Sequence, residues 1–163
     1  MTKTFSVILI ASLAATATWG QALYVPEDIQ NFYNQENIKS SFKVDSGINP
    51  YYLRADFDGD KKFDYALIVS ERKTGKKGII IYHTSSKKYF IVGAGKELTT
   101  RPGDDYGWMD AWEIYCKKDV ELGVGESKKI KLIGEAILIT KLESSSGLIY
   151  WDGISYQWYQ QGD

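Results

Sequence analysis

The sequence has very little cysteine, histidine and proline: one cysteine, one histidine and three prolines in 163 residues. A single cysteine cannot form an internal disulfide, so a packed core, with or without a metal ion, must hold the fold together. We expect Cys116 to be half-buried at the end of a strand, because no cluster of groups around it would activate a thiol. No serine or cysteine can be tied to His83 as a nucleophile, so a catalytic triad is not indicated.

Neither sign of charge is in excess. The chain has 20 basic and 21 acidic residues, a formal net charge of −1. Removal of the leader described below takes away only Lys3 and leaves 19 basic and 21 acidic residues, a balance of −2. The mixed signs exclude a basic surface of the kind that attracts nucleic acid or acidic membranes, and we expect no nucleic-acid partner.

The N-terminus has the layout of a secretory signal peptide. Lys3 precedes an apolar run over residues 5–13, and small residues follow as far as Ala22. The run is shorter than the roughly 20 residues that a membrane-spanning helix needs. We therefore expect a signal peptide over residues 1–22 and one β-rich domain over residues 23–163. The mature chain would be secreted or periplasmic, with no transmembrane segment after cleavage.

Most of the mature chain has the pattern of β-strands. Short runs of β-branched and aromatic residues are separated by glycine-rich or polar turns. The predicted strands cover residues 51–55, 65–70, 78–82, 89–92, 109–115, 130–133, 135–140, 147–151 and 154–159.

One helix is predicted, over residues 26–38. Pro26 suits the first helical position, and Ile29, Phe32 and Tyr33 form an apolar stripe at helical spacing. The fold class is therefore mainly antiparallel β (α+β), with an N-terminal helix packed on the sheet.

The last two predicted strands flank the pair Asp152-Gly153, which favours a two-residue type I′ turn. That turn pairs Trp151 with Ile154 and places both on one face with Trp158. We expect this face to belong to the core. The opposite face, which includes Tyr159, is mixed in polarity and is expected to contact water, because side chains alternate across a strand.

An acidic loop is the most informative feature of the sequence. Four aspartates occupy positions 1, 3, 5 and 9 of the run 56–64, and an apolar segment follows at once. Alternate residues of a tightly turning loop can point inward together, and Gly59 relieves crowding at the bend. Carboxylate and carbonyl oxygens suit Ca²⁺, whereas Zn²⁺ would call for cysteine or histidine. The expected metal ligands are Asp56, Asp58, Asp60, the backbone carbonyl of Lys62, and Asp64.

The alternative interpretation of this run is an acidic turn with solvated aspartates and no ion. Four carboxylates this close together repel one another unless a cation neutralises them. The repulsion favours the metal site over the bare turn.

The spacing of the acidic loop differs from that of an EF-hand, since Lys61 and Leu67 stand where an EF-hand has glycine and glutamate. It resembles the loops of FG-GAP and VCBS-type repeats, including those of integrin α-subunit propellers, over about residues 53–70. The resemblance implies Ca²⁺ coordination by the ligands named above. Lys61 replaces a glycine that is usual in the family, so we expect either a left-handed backbone at this lysine or a different turn.

The resemblance extends to one loop and not to a propeller. A propeller needs several four-stranded blades, and the expected mature chain, 141 residues long, carries a single copy of the loop. We therefore expect a single domain that is not a propeller.

Two classes of function remain open from the sequence. The leading one is a non-catalytic secreted or periplasmic module with a structural Ca²⁺, which binds a protein or a surface glycan. The alternative is a small secreted hydrolase that acts on glycan or cell-wall substrate with a carboxylate pair drawn from Asp104, Asp110 and Glu113. A deep cleft that holds two of these acids would favour the enzyme, and scattered acids would favour the binding module.

The exported protein is expected to begin near Leu23, because cleavage after Ala22 follows the apolar run and the small residues. Intact-mass measurement of the protein recovered outside the cytoplasm checks this expectation. Recovery of a chain that still carries residues 1–22, in a membrane fraction, would contradict it.

Overall fold

A computed structural model of the chain describes residues 24–98, 103–116 and 119–162. The signal peptide expected over residues 1–22 lies outside the described residues. The two helices are α1 Glu27–Tyr33 and α2 Glu36–Ser41. The strands are β1 Phe42–Val44, β2 Tyr52–Ala55, β3 Asp64–Glu71, β4 Lys77–His83, β5 Lys88–Gly93, β6 Ala111–Tyr115, β7 Ala136–Lys141, β8 Ser145–Trp151 and β9 Tyr156–Gly162.

The strands form two open antiparallel sheets, so the described fold is mainly antiparallel β and is not a propeller. In the first sheet β3 pairs with β4, and β4 pairs with β5. The other side of β3 pairs with β1 along one half and with β2 along the other. The second sheet is a meander of β6, β7, β8 and β9.

The acidic loop connects β2 to β3, two strands that are hydrogen-bonded to each other. The last pair of this ladder is Ala55 with Asp64. Both ends of the loop are therefore fixed by one antiparallel ladder, which restricts the positions that its side chains can take.

The two sheets face each other across a shared hydrophobic core. Along β4, Ile79 and Ile81 point to this core, while Ile80 and Tyr82 point to the opposite face. The second sheet contributes Ile137 and several further buried side chains to the same core. This alternation follows from the two-residue period of a strand, and it determines which polar residues near the strand ends are buried.

The two helices cover the outer face of the first sheet. Ile29, Phe32 and Ile38 are buried in a cluster with that face, and the Phe32 ring stacks on Tyr82 with centroids 4.3 Å apart. The predicted single helix over residues 26–38 is divided, because Gln35 takes an extended ψ of 133° between α1 and α2. No helix in the described part of the chain has the length and apolar character of a membrane span.

The turn between β8 and β9 differs from the predicted one. Trp151 pairs with Tyr156 and not with Ile154, so four residues and not two form the turn. Ile154 is 84% exposed, which contradicts its predicted place in the core. A shift of two residues keeps every side chain on the same face, so Trp158 is buried as predicted.

The side chain of Asp152 explains the longer turn. Its Oδ1 accepts the backbone N–H groups of Ile154 and Ser155, each at 2.8 Å. The Asp152 N–H in turn donates to the Ser155 carbonyl at 3.1 Å. These three bonds stabilise a wider turn, because an aspartate side chain can replace a backbone acceptor.

The outer face of the second sheet is covered and not solvated, contrary to expectation. Tyr159 and Leu148 are buried with Val120 and Leu132 of the segment before β7. The strand predicted over residues 130–133 does not form; that segment makes only an isolated bridge from Lys131 to Asp119. The expectation that Cys116 is half-buried is also wrong, since it is exposed after β6.

One core side chain has an unfavourable environment. Tyr106 is 1% exposed, and its hydroxyl is the one buried side-chain polar atom without a hydrogen-bond partner among the described residues. Burial raises the pKa of this phenol, because the charged form would lie in an apolar medium.

Tyr106→Phe is expected to stabilise the fold by about 1–2 kcal/mol, because it removes a buried donor that makes no bond. Tyr159→Phe is the matched control. The Tyr159 hydroxyl accepts from the Gly123 N–H at 3.2 Å and donates to the Lys128 carbonyl at 2.9 Å, so its removal is expected to destabilise. Urea unfolding midpoints measure both changes, and a loss of stability in Tyr106→Phe would contradict the prediction.

Candidate metal centre

The backbone of the acidic loop is organised by its own carboxylates. Asp56 accepts the Gly59 N–H at 2.7 Å with one oxygen and the Lys61 N–H at 2.9 Å with the other. Gly59 and Lys61 both have a positive φ, 83° and 68°. The left-handed backbone expected at Lys61 is therefore present, and the Asp56 bond to its N–H offsets part of the cost of that conformation.

The next two aspartates repeat this pattern further along the loop. Asp58 accepts the Asp60 N–H at 3.1 Å, and Asp60 accepts the Lys62 N–H at 2.8 Å. Hydrogen bonds from the Ser85 side chain and the Lys62 N–H lower the pKa of Asp60, since both stabilise the ionised carboxylate. Lys62 itself is exposed.

The structure brings three of the predicted ligands together. Asp56, Asp58 and Asp60 each place one carboxylate oxygen within 4.8 Å of the others. Two oxygens bound to one cation at 2.3–2.6 Å can be at most about 5 Å apart, so this spacing suits a single ion.

Asp64 closes the loop from inside the protein. It lies at the start of β3 on the same face as Ala66, and it is fully buried. Its oxygens accept the backbone N–H groups of Thr84 at 2.9 Å and Phe57 at 3.2 Å. Burial, with the charges of Asp58 and Asp60 next to it, raises the pKa of Asp64 to about 7.

His83 also belongs to the site, although it was not among the predicted ligands. It is the last residue of β4, shares the inner face with Ile81, and is 2% exposed. Its Nδ1 lies 3.3 Å from the Asp58 Oδ2, and its Nε2 lies 2.6 Å from the Tyr156 hydroxyl. Burial lowers the pKa of His83, and the nearby carboxylates oppose that shift without overcoming it.

Asp58, Asp64 and His83 form a second group with ligand atoms within 4.8 Å of one another. Asp58 belongs to both groups. The cluster of acidic residues and histidine could hold a metal ion.

A signal for His83 was present in the sequence. The β3–β4 hairpin pairs Tyr65 with Tyr82, so His83 follows directly beside Asp64 at the open end of the hairpin. Counting outward from the pair Ser70 and Lys77, which flank the turn, gives this neighbour relation. The contact with Tyr156 has no such local signal, because it joins residues 73 positions apart.

Aromatic rings surround the imidazole. The centroids of Phe90 and Trp151 lie 4.8 and 5.2 Å from that of His83. Tyr156 is also buried, and its pKa is well above its usual value because of burial and of the charges of Asp64, Asp58 and Asp56. The inner side of the cluster is therefore apolar, while the side at Asp60 is open to solvent.

The acidic loop rests on the second sheet through the residues just before β7. The Asp56 N–H donates to the Glu135 carboxylate at 2.9 Å, and the Glu135 N–H donates to the Asp56 carbonyl at 2.6 Å. Gly134 makes this approach possible, because a Cβ there would lie 2.5 Å from the Asp56 carbonyl oxygen and 2.7 Å from the Gly59 nitrogen.

Two of the three acids considered for a hydrolase form ion pairs with lysines. Asp104 pairs with Lys76, and Asp110 pairs with Lys141 at 3.0 Å. The Lys141 hydrogen bond lowers the pKa of Asp110. A general acid of a glycosidase needs the opposite shift, a raised pKa, so Asp110 is not suited to that role. Glu113 is exposed on β6.

No protein-family model, curated protein or solved structure matches the chain. The function must therefore be inferred from the side chains of the site. Oxygen atoms and one imidazole, groups that can bind a metal ion, converge there from the acidic loop, β3 and β4.

Gly134→Ala is expected to displace the acidic loop and to destabilise the fold by about 1–3 kcal/mol, because the added methyl group overlaps the loop backbone. Chemical unfolding measures the change. Gly75→Asn is the control: its φ is 77° and a Cβ there meets nothing within 4 Å. Asparagine tolerates that backbone, so stability should remain near that of the parent. Equal stability of Gly134→Ala and the parent would show that the loop does not rest on residue 134.

Proposed function

We propose that the mature chain is an exported, secreted or periplasmic, non-catalytic module whose loop over residues 56–64 binds a structural Ca²⁺. The observation that carries the proposal is the convergence of three loop carboxylates within 4.8 Å of one another. Oxygen ligands at this spacing on a solvent-facing loop match the preference of Ca²⁺ for several hard ligands.

The state of the loop backbone supports the proposal. Asp56, Asp58 and Asp60 accept loop N–H groups, which orients the carboxylates before any ion arrives. A carboxylate oxygen has lone pairs to spare after one hydrogen bond, so these bonds leave capacity for a cation. A preorganised loop loses less conformational entropy when the ion binds.

The charge of the loop supports the same proposal. Four aspartates lie in nine residues. Burial, and to a lesser degree the charges of Asp58 and Asp60, raise the pKa of Asp64, so its ionised form is unfavourable without a counter-ion. A divalent cation would neutralise two of these charges. In this proposal Asp64 and the carbonyl of Lys62 complete the ligand set, as the resemblance to FG-GAP loops implies.

The place of the loop supports a structural role for the ion. Asp56 is hydrogen-bonded to Glu135, which lies just before β7 of the second sheet, and Asp64 is hydrogen-bonded to Thr84 beyond β4. An ion that holds the loop would therefore stabilise the contact between the two sheets.

The partner in this proposal is a protein or a surface glycan. Ile133 and Ile154 are 51% and 84% exposed, and Ile133 lies beside both Gly59 of the loop and Gly153 of the last turn. Exposed apolar side chains next to an ion-ordered loop are suited to contact with a partner surface.

Ca²⁺ is expected to raise the thermal midpoint of the protein above its value in EDTA. An ion that binds only the folded state adds about 2.7 kcal/mol at a hundredfold excess over its Kd. Asp58→Ala and Asp60→Ala are expected to abolish this rise in midpoint. Asp60→Asn is expected to reduce the rise without abolishing it, because an amide oxygen still coordinates. Mg²⁺ is expected to be a poor substitute, because it requires a tight octahedron.

The control for these variants is Asp28→Asn, which changes an exposed aspartate in the first turn of α1. Its thermal midpoint should differ only slightly from that of the parent, and Ca²⁺ should raise this midpoint by as much as it does in the parent. A parent midpoint that is identical in EDTA and in millimolar Ca²⁺ would leave the loop as an acidic turn and would contradict the proposal.

A further inference from the structure

The two ligand groups of the cluster differ in chemistry. The outer group offers only carboxylate oxygens, from Asp56, Asp58 and Asp60. The inner group adds an imidazole nitrogen to the carboxylates of Asp58 and Asp64. Ca²⁺ takes oxygen ligands, whereas imidazole is a preferred ligand of Zn²⁺ and of other divalent transition metals.

The two nitrogens of His83 have different surroundings. The Nε2 lies 2.6 Å from the Tyr156 hydroxyl, a normal hydrogen-bond distance. The Nδ1 faces the Asp58 carboxylate at 3.3 Å, which is longer than the usual 2.7–3.2 Å of an N–H···O bond. Metal-binding histidines are commonly held in this way, with the second nitrogen fixed by a hydrogen-bond partner.

The separation of 3.3 Å suits two ligands of one small ion. Two corners of a tetrahedron at that separation lie about 2.0 Å from its centre, which is the length of Zn–N and Zn–O bonds. Asp64 can supply the third ligand, because each of its oxygens accepts one backbone N–H and keeps a free lone pair.

The imidazole of His83 lies in an enclosed position. The side chain is 2% exposed and lies among the rings of Phe90, Trp151 and Tyr156. The nearby carboxylates supply the negative charge that a divalent ion requires.

We infer that Asp58, Asp64 and His83 form a second metal position, which takes a divalent transition metal with an affinity for imidazole, represented by Zn²⁺. Tyr156 is the positioning residue, since it holds the Nε2 and directs the Nδ1 to the carboxylates. Three protein ligands leave one tetrahedral corner for water. The position shares Asp58 and Asp64 with the proposed Ca²⁺ loop but is defined by His83, so it does not rest on that proposal.

The inference is tested by measuring Zn²⁺ binding to the metal-free protein in competition with a chromophoric chelator. The measurement is repeated with the Cys116→Ser variant, which removes the exposed thiol. We expect one Zn²⁺ per chain. His83→Gln can still offer a polar group to Tyr156 but lacks the nitrogen that faces Asp58, and it is expected to lower the affinity at least about tenfold. Tyr156→Phe is expected to lower it about 10–100-fold, the usual effect of losing such a partner.

Asp60→Asn is the matched control, because Asp60 belongs to the outer group alone. It should weaken the Ca²⁺ response and leave the Zn²⁺ affinity unchanged. Co²⁺ gives an independent signal: its visible absorption reports a low-coordinate site in the parent and should be lost in His83→Gln. Circular dichroism verifies that each variant is folded, and Tyr156→Phe carries the test if His83→Gln does not fold.

No Zn²⁺ binding by the parent, or equal affinity in the parent, His83→Gln and Tyr156→Phe, would overturn the inference. The proposed Ca²⁺ loop has a separate readout. A Ca²⁺ response without His83-dependent Zn²⁺ binding refutes only the second position, and Zn²⁺ binding without a Ca²⁺ response refutes only the proposed function.

Discussion

The buried carboxylate of Asp64 is the group on which the arrangement of the site depends. It accepts N–H groups from Phe57 in the acidic loop and from Thr84 beyond β4, so it joins the loop to the neighbouring strand. The same carboxylate is fully buried beside Asp58, and its pKa of about 7 expresses the cost of keeping it ionised. A proton can relieve that cost, and so can a cation. Only the cation keeps both oxygens fully charged acceptors for the two N–H groups.

Two polar connections near Asp64 cross from the first sheet to the second. His83 contacts Tyr156 at the start of β9, and Asp56 exchanges two hydrogen bonds with Glu135 before β7. Both lie at the same end of the shared core. A change in the charge of the cluster therefore acts on the contact between the sheets and not on the loop alone. For this reason we expect ion binding to be measurable as global stability.

The sequence alone was sufficient to predict those elements whose pattern lies in residues close together along the chain. Alternating side chains predicted most of the strands, and the aspartate spacing predicted a loop whose carboxylates converge. The register of the last hairpin was missed because the Asp152 side chain bonds to two backbone N–H groups and widens the turn. His83 could be predicted to lie beside Asp64 only with the β3–β4 turn placed between Ser70 and Lys77. Tyr156 and Glu135 were not predictable. Tyr156 meets His83 across 73 residues and Glu135 meets Asp56 across 79, and no local pattern encodes these contacts.

The two sides of the cluster place different demands on a bound ion. Asp60 lies at the exposed side, where water can complete the coordination of a large cation such as Ca²⁺ and can exchange freely. His83 and Asp64 lie at the buried side, among aromatic rings, where an ion must find most of its ligands in the protein. Because the enclosed position offers one nitrogen and few oxygens, it disfavours an ion that needs six or more hard ligands. Burial and ligand type thus separate two classes of cation across a cluster in which both ligand groups include Asp58.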